Sequence, residues 1–281
     1  MCFISPRCAL DMQAAPLWDP STCQFVGLLK VTDFIDILRY YRATNSNVAS
    51  LATRSIDEMF QDETMKQAVG IRLGFGSADS STSLKIACQL LLGGAGDFLP
   101  IVMPEDMRVL ACITYTNILD HLVTHFREQR RLFDDSIFDL KIGTYHDQLV
   151  TVTPKETLTQ ALELMHRHQL GALPVVESTS SRKLVGVYSR SDITFLTKAT
   201  DAEDAVANLD LTLAEVLEQQ RTDVTTPDAM HTCSTTHTLQ SIFEYFAQLR
   251  FNRLFVVDAE TGEELVGVVS AKDLVAYFMN D

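Results

Sequence analysis

The chain has 281 residues, 46% of them hydrophobic and 21% charged, with a formal net charge of −14. That length allows two ordinary domains with cores of their own. The acidic surplus argues against a nucleic-acid or anionic-membrane surface, no apolar run approaches the roughly 20 residues of a membrane span, and an anionic ligand would need arginine or lysine placed locally.

The first ten residues are too short and too weakly apolar to read as a signal peptide. Ala15-Pro16-Leu17-Trp18 and Phe25-Val26-Gly27-Leu28 then read as a strand pair, closed by Val31-Thr32-Asp33. A helix is expected over 33–42, with Phe34, Ile37, Leu38 and Tyr41 on one face. Residues 48–67 are polar with scattered apolar positions and are expected to be helical. A small-residue loop over 74–83 leads to Ser83, a candidate cap for a helix over 84–92 that stops at Gly93-Gly94-Ala95-Gly96. Gly74-Phe75-Gly76 and this second run lack the Lys-Ser/Thr of a phosphate loop, so they read as loop and cap. Leu99-Pro100-Ile101-Val102 and the run from Val109 form a second strand pair, closed by Asn117 and followed by a helix to about residue 129.

In the third stretch, Thr153-Pro154-Lys155-Glu156 has the pattern of a capping box with proline at the first helical position. Leu158, Ala161, Leu162 and Met165 recur at helical spacing, and Gly171 is expected to end that helix. Ala172 to Val176 and Leu184 to Ser189 are the next strand pair, closed by Asp192. An acidic connector is expected over 201–228. Leu239, Ile242, Phe243, Phe246 and Leu249 mark the last but one helix. Leu254 to Val257 and Leu265 to Val269 then form a strand pair, with Ser270 and Asp273 at the handover to a helix carrying Leu274, Val275 and Phe278.

The same strand–turn–strand–helix unit thus occurs four times, and Asp33, Asn117, Asp192 and Asp273 close it at spacings of 84, 75 and 81 residues. A complete unit reads strand–helix–strand–strand–helix, an α/β repeat whose single copy has too little core to stand alone, so pairing of neighbours is expected. The boundaries fall at 1–44 (a first repeat lacking its opening strand and helix), 45–129 (a degenerate second), 130–200 and 201–281. Six scattered cysteines (Cys2, Cys8, Cys23, Cys88, Cys112, Cys233) with no C-x-x-C pair suit a reducing intracellular compartment. Cytoplasmic residence is expected, with nothing to separate it from the nucleus.

On Ala14 to Asp19, Phe25 to Leu28, Val31 to Ile35, Ile142 to Tyr145, His168 to Val176 and Asn252 to Asp258, the chain resembles tandem cystathionine-β-synthase (CBS) repeats paired into two Bateman modules. The set of four is similar to the gamma regulatory subunits of AMP-activated protein kinase. The resemblance runs from Met12 to Phe278. It implies a non-catalytic subunit that binds AMP, ADP or ATP as regulatory ligands in clefts between repeats. It also implies kinase alpha and beta subunits as partners, with no cofactor, no metal, no nucleic acid and no membrane insertion.

The residues have ordinary readings too. Ser189-x-x-Asp192 and Ser270-x-x-Asp273 match a helix N-cap with an acid in the first turn. The resemblance makes their aspartates, and Asp33, ribose contacts, sets the Ser189 and Ser270 hydroxyls near the ligand, and puts Asn252 with Arg253 among the nucleotide-binding positions. Arg253 after Asn252 reads alone as a solvated surface arginine; the resemblance places it on phosphate, where a planar guanidinium can donate twice. It assigns Arg221 a second phosphate contact, and Thr144, otherwise a strand-edge hydroxyl, a nucleotide contact. The family's pattern is broken at Gln13, Asp97-Phe98 and Asn252, where cationic or histidine positions are lost. The site of Asp273 and Arg253 therefore ranks first, that of Asp192 second and that of Asp33 third. His121 and His125 have a metal-compatible spacing but no third ligand in sequence, and read as a surface or interface pair. Two rivals stay open: a stand-alone CBS protein for another adenosyl ligand, and a structural kinase subunit with decayed sites.

Overall fold

The computed structural model describes residues 14–47, 50–51, 53–69, 76–94, 97–125, 134–190, 192, 199–222, 230–249 and 252–280. In chain order, β1 (Ala14–Asp19) and β2 (Gln24–Lys30) form a hairpin that runs into helix α1 (Val31–Ala43). Two short helices follow, α2 (Ile56–Gln61) and α3 (Glu63–Val69), then β3 (Ala78–Asp79), α4 (Leu84–Gly93), the hairpin β4 (Phe98–Val102) and β5 (Val109–Thr114), and α5 (Tyr115–His125). The third stretch has β6 (Thr144–Tyr145), α6 (Leu158–His168), and the hairpin β7 (Ala172–Val176) and β8 (Leu184–Ser189). The last has α7 (Ala202–Ala207), α8 (Leu213–Thr222), β9 (Thr232–Ser234), α9 (Leu239–Leu249), β10 (Arg253–Val257), β11 (Leu265–Ser270) and α10 (Ala271–Asn280).

The repeat is visible in detail. Register irregularities fall at Leu17/Trp18, Ile101/Val102 and Val256/Val257, the same place in three of the four hairpins. Each of these three hairpins closes the same way. Asp33 accepts the Lys30 N–H at 2.7 Å, Asn117 the Thr114 N–H at 3.0 Å, and Asp273 the Ser270 N–H at 2.8 Å. The helix that follows therefore starts at a fixed angle to its strand. Strand β6 pairs antiparallel with β11, and β9 pairs parallel with β10, giving the sheet order β6-β11-β10-β9.

Contacts divide the chain into two units. The first comprises residues 1–76, 155–171 and 189–224; one of its apolar clusters holds Ile37, Tyr41, Met59, Met65 and Val69. The second comprises 77–154, 172–188 and 225–281. Its larger core includes Leu91, Leu119, Ile137, Phe246, Val256 and Leu274, and a smaller one joins Val176, Leu184 and Val187 to Phe255, Val257 and Leu265. Each unit draws on more than one repeat, so contacts cut across the repeat boundaries.

Several sequence expectations need correction. Helix α1 buries Ile35, Ile37, Leu38 and Tyr41, but Phe34 is 45% exposed. The helix is turned because Asp33 and Asp36 face inward, to the Lys30 N–H and to the Arg190 guanidinium. Residues 48–67 are not one helix: Asp62 takes an extended conformation and its side chain caps the next helix through the Met65 N–H at 3.1 Å. The cap of α6 is Thr157, paired with Gln160, rather than Thr153 with Glu156. The Leu158 N–H donates to Leu211 and the Leu213 N–H to Glu156, both at 2.8 Å; this short ladder keeps Thr157 extended until the helix can begin. Gln169, at φ 54°, is the left-handed residue ending α6, not Gly171. The acidic connector carries α7 and α8, because Leu209, Leu213 and Val216 supply a buried stripe among the acids. Leu249 is 54% exposed, off the buried face of α9. The expected extension of α5 past His125 lies outside the described residues.

Candidate functional site

In the second unit the predicted residues come together at one end of the β6-β11-β10-β9 sheet. Arg253 pairs with Ser270 across β10 and β11, and Thr144 pairs with Val268 across β6 and β11. Val268 and Ser270 are two apart on one strand, so Thr144, Ser270 and Arg253 project from one face. Phe255 and Val268 pair on that same face and belong to the smaller core with Val176, Leu184 and Val187. The candidate site is therefore the polar end of an apolar seam, next to the N-terminus of α10. Asn252 is exposed, and its carbonyl accepts the Ala271 N–H at 3.1 Å.

The Ile142-Gly143-Thr144-Tyr145 stretch is shaped by close approach. Gly143 has φ +115°, and a Cβ there would stand 2.5 Å from the Val268 carbonyl oxygen. A Cβ on Gly267 would be 2.4 Å from the Tyr145 ring. The tyrosine hydroxyl donates to the Ile142 carbonyl at 2.9 Å. Burial first, then Cys233 and Asp273, push the Tyr145 hydroxyl well above its usual range, which places Asp273 within electrostatic reach of this strand.

Asp273 caps the start of α10 with one of its two oxygens. Its Oδ2 accepts the Ser270 N–H at 2.8 Å and the Ser270 hydroxyl at 2.7 Å, and the Ser270 Oγ accepts the Asp273 N–H at 3.3 Å. This is the capping arrangement expected from spacing. A carboxylate has two oxygens and about four acceptor sites, and among the described residues no hydrogen bond to Oδ1 is formed. Capping and ligand contact are thus compatible. At the register position of Arg253 the first two hairpins carry Ala14 and Phe98, so the cation is a feature of the fourth repeat.

The first unit holds the other predicted residues. Asp33 is 8% exposed, Ser189 2% and Asp192 4%. The Gln220 amide donates to Asp192 Oδ2, and the Asp192 N–H donates to the Ser189 carbonyl at 3.0 Å. The helix expected after Asp192 lies outside the described residues, as does Gln13. Arg221 lies in α8, with its side chain outside the described set. The residues that sequence reasoning missed are Asp36, Arg39, His166, Arg190 and Gln220. Arg190 donates to Asp36 Oδ2, and Arg39 Nε lies 3.7 Å from Asp36 Oδ1. Burial raises both carboxyls above their ordinary values, against Lys30 and then Arg190 at Asp33 and against Arg190 and Arg39 at Asp36. One signal was present: Ile35-Asp36-Ile37 puts an acid among residues of a buried helix face, where an unpaired carboxylate is not tolerated.

His121 and His125 are exposed and stacked, ring centroids 4.2 Å apart, and His125 Nδ1 lies 2.9 Å from the His121 carbonyl oxygen. Among the described residues no three metal-ligating side chains converge, and no helix is long and apolar enough to cross a membrane.

Comparison with known proteins agrees with this architecture. The CBS domain family matches residues 142–197 and 221–280. The chain is 28% identical over 275 residues to the 5'-AMP-activated protein kinase subunit gamma of Dictyostelium discoideum, covering 96% of this chain and 46% of that protein. It is 31% identical over 276 residues to subunit gamma-3 of Bos taurus, covering 95% and 51%. The chain spans about half the length of the curated relatives it matches. A solved structure from Methanocaldococcus jannaschii, described as an archaeal homologue of the same gamma subunit, superposes with TM-score 0.67 at 18% identity, covering 97% of this chain and 92% of that one. An uncharacterised protein of Pyrococcus horikoshii gives TM-score 0.54 at 16% identity, covering 94% and 90%. The fold is that of tandem CBS repeats.

Proposed function

We propose that this chain, a CBS-repeat protein similar over 95% of its length to gamma subunits of AMP-activated protein kinase, is a regulatory subunit that binds adenine nucleotide and acts without turnover. The observation that carries the reading is the register pairing of Arg253 with Ser270 beside the capped start of α10. Asp273 Oδ1 accepts from the ribose hydroxyls while Oδ2 holds the cap. Arg253 donates its planar fork to a phosphate, and the helix N-terminus adds its partial positive charge. The Thr144 hydroxyl, on the same face, contacts the nucleoside.

Regulation then follows from unequal affinity. Nucleotide shifts a bound kinase only if the active and inactive arrangements of the complex hold it with different strength, and the coupling is reciprocal. Each added phosphate changes the charge near Arg253, which makes phosphate number the property sensed. Kinase alpha and beta subunits are the proposed partners, in the cytoplasm or nucleus.

Competition of AMP, ADP, ATP and adenosine for a fluorescent nucleotide tests the assignment. In Arg253→Gln the advantage of the phosphorylated ligands over adenosine should shrink by about tenfold, the scale of one charged hydrogen bond. Equal discrimination in the variant and the parent would remove Arg253 from the site.

A further inference from the structure

Asp33 and Asp192, the two predicted ribose-binding acids of the first unit, are both buried, and Arg190 stands near both. It precedes Asp192 by two residues and acts electrostatically on Asp33. It follows Ser189 as Ala271 follows Ser270, and its N–H donates to Gly171 at 2.8 Å as that of Ala271 does to Asn252 at 3.1 Å. An arginine at the start of that turn is well placed for a phosphate.

Its guanidinium is already engaged. Nη2 donates to Oδ2 of Asp36, a residue only 3% exposed. The other Asp36 oxygen faces Arg39 Nε at 3.7 Å. The remaining charged or titratable neighbours are Asp33 and His166, and burial and the arginines favour the neutral form of the histidine. Arg190 and Arg39 thus both face the Asp36 carboxylate, while Lys30 acts on Asp33 ahead of Arg190. A buried carboxylate that gave up its arginine would be costly, so Asp36 holds Arg190 firmly.

We propose that Asp36 is a specificity-determining residue: it occupies Arg190 as an internal anion and sets the sites of Asp33 and Asp192 against phosphorylated ligands. The inference rests on the nucleotide-binding reading above and gives the two units opposite preferences. In the second unit Arg253 lies in register with Ser270, whereas in the first Arg190 is held by Asp36.

The test uses the full chain in an Arg253→Gln background, so that phosphate binding by the second unit is weakened and the same in every variant compared. Thermal unfolding is followed against inorganic pyrophosphate. Asp36→Asn is nearly isosteric and removes the negative charge opposite Arg190. Its apparent affinity for pyrophosphate should exceed that of the Asp36 parent by about tenfold or more. Adding Arg190→Gln should abolish the gain. A folded Asp36→Asn that binds pyrophosphate no more tightly than the parent overturns the proposal, as does a gain that survives Arg190→Gln. If Asp36→Asn is unfolded alone, titration with pyrophosphate should restore the folded state, since an added anion replaces the missing one; failure to restore it counts against the proposal. A parallel titration with AMP keeps the two readings apart. A gain for pyrophosphate without AMP binding to any form of the chain, wild type included, would sink the nucleotide reading and leave the role of Asp36 standing.

Discussion

At the residue scale, one acid or amide position recurs in this chain with the same structural duty. Asp33, Asn117 and Asp273 all accept the N–H of the residue that ends a strand. That shared bond is structural, and its recurrence explains why the acid or amide is found in three closures. Charge is what distinguishes the positions. Asn117 is exposed and neutral, Asp33 is nearly buried, and Asp273 is half-buried beside a cation on the paired strand. Burial raises the Asp33 and Asp36 carboxyls. The native chain then holds more protons than the unfolded one between the raised values and the ordinary 3.8, so these groups add stability as pH falls into that window and lose it as pH rises. His166, lowered by burial, works in the opposite sense: its contribution is lost as pH falls from 6.5. In Asp33→Asn the amide oxygen can still cap Lys30 but cannot titrate. Urea unfolding at pH 7 and at about pH 5 should show wild type gaining relative to this variant on acidification, in the direction linkage requires. A constant difference, or one of reversed sign, would show that burial does not raise the Asp33 carboxyl in the folded chain.

At the element scale, the hairpins and their helices were largely legible. Ala172-Leu173-Pro174-Val175-Val176 and Leu254-Phe255-Val256-Val257 lie in strands, and Leu158, Ala161, Leu162 and Met165 are buried at the spacing the sequence shows. Three features were hidden because a contact distant in sequence decides them. The start of α6 is set by the ladder to 211–213, which moves the cap from the expected Thr153 to Thr157. The rotation of α1 is set by Arg190, 154 residues from Asp36. The pairing of β6 with β11 depends on Gly143 and Gly267, whose missing side chains let strand and ring approach. Gly143→Ala combines an unfavourable backbone with a 2.5 Å approach to the Val268 carbonyl. It should cost about 1–3 kcal/mol in urea unfolding. Gly262→Ala, at φ +69° with nothing within 4 Å, keeps only the backbone penalty, about 1 kcal/mol. Equal losses at the two glycines would show that the approach of β6 to β11 is not tight.

At the scale of the whole molecule, the repeat fixes the fold and composition sets the ligand problem. A chain of net charge −14 that binds phosphate must do so with a few placed cations. Of the predicted cations, Arg253 lies in register with the site, and the side chain of Arg221 is outside the described residues. The second unit's site was readable because its residues lie within one repeat and the strand that joins it. The first unit's was readable only in part: Asp33 and Asp192 follow from the repeat, whereas Asp36 and Arg190 come from different repeats and nothing in their spacing announces the pair. The central claim is that Asp273 and Arg253 bind adenine nucleotide. Calorimetric titration of the purified chain with AMP, ADP and ATP, beside Asp273→Ala and Asp273→Asn, tests it most directly. Binding should be saturable in the wild type. Both variants should bind at least about tenfold more weakly, although Asn preserves the Ser270 cap and Ala costs about 1 kcal/mol of stability. Undiminished affinity in a folded Asp273→Ala, or no heat with any of the three nucleotides from folded wild type, would contradict the account.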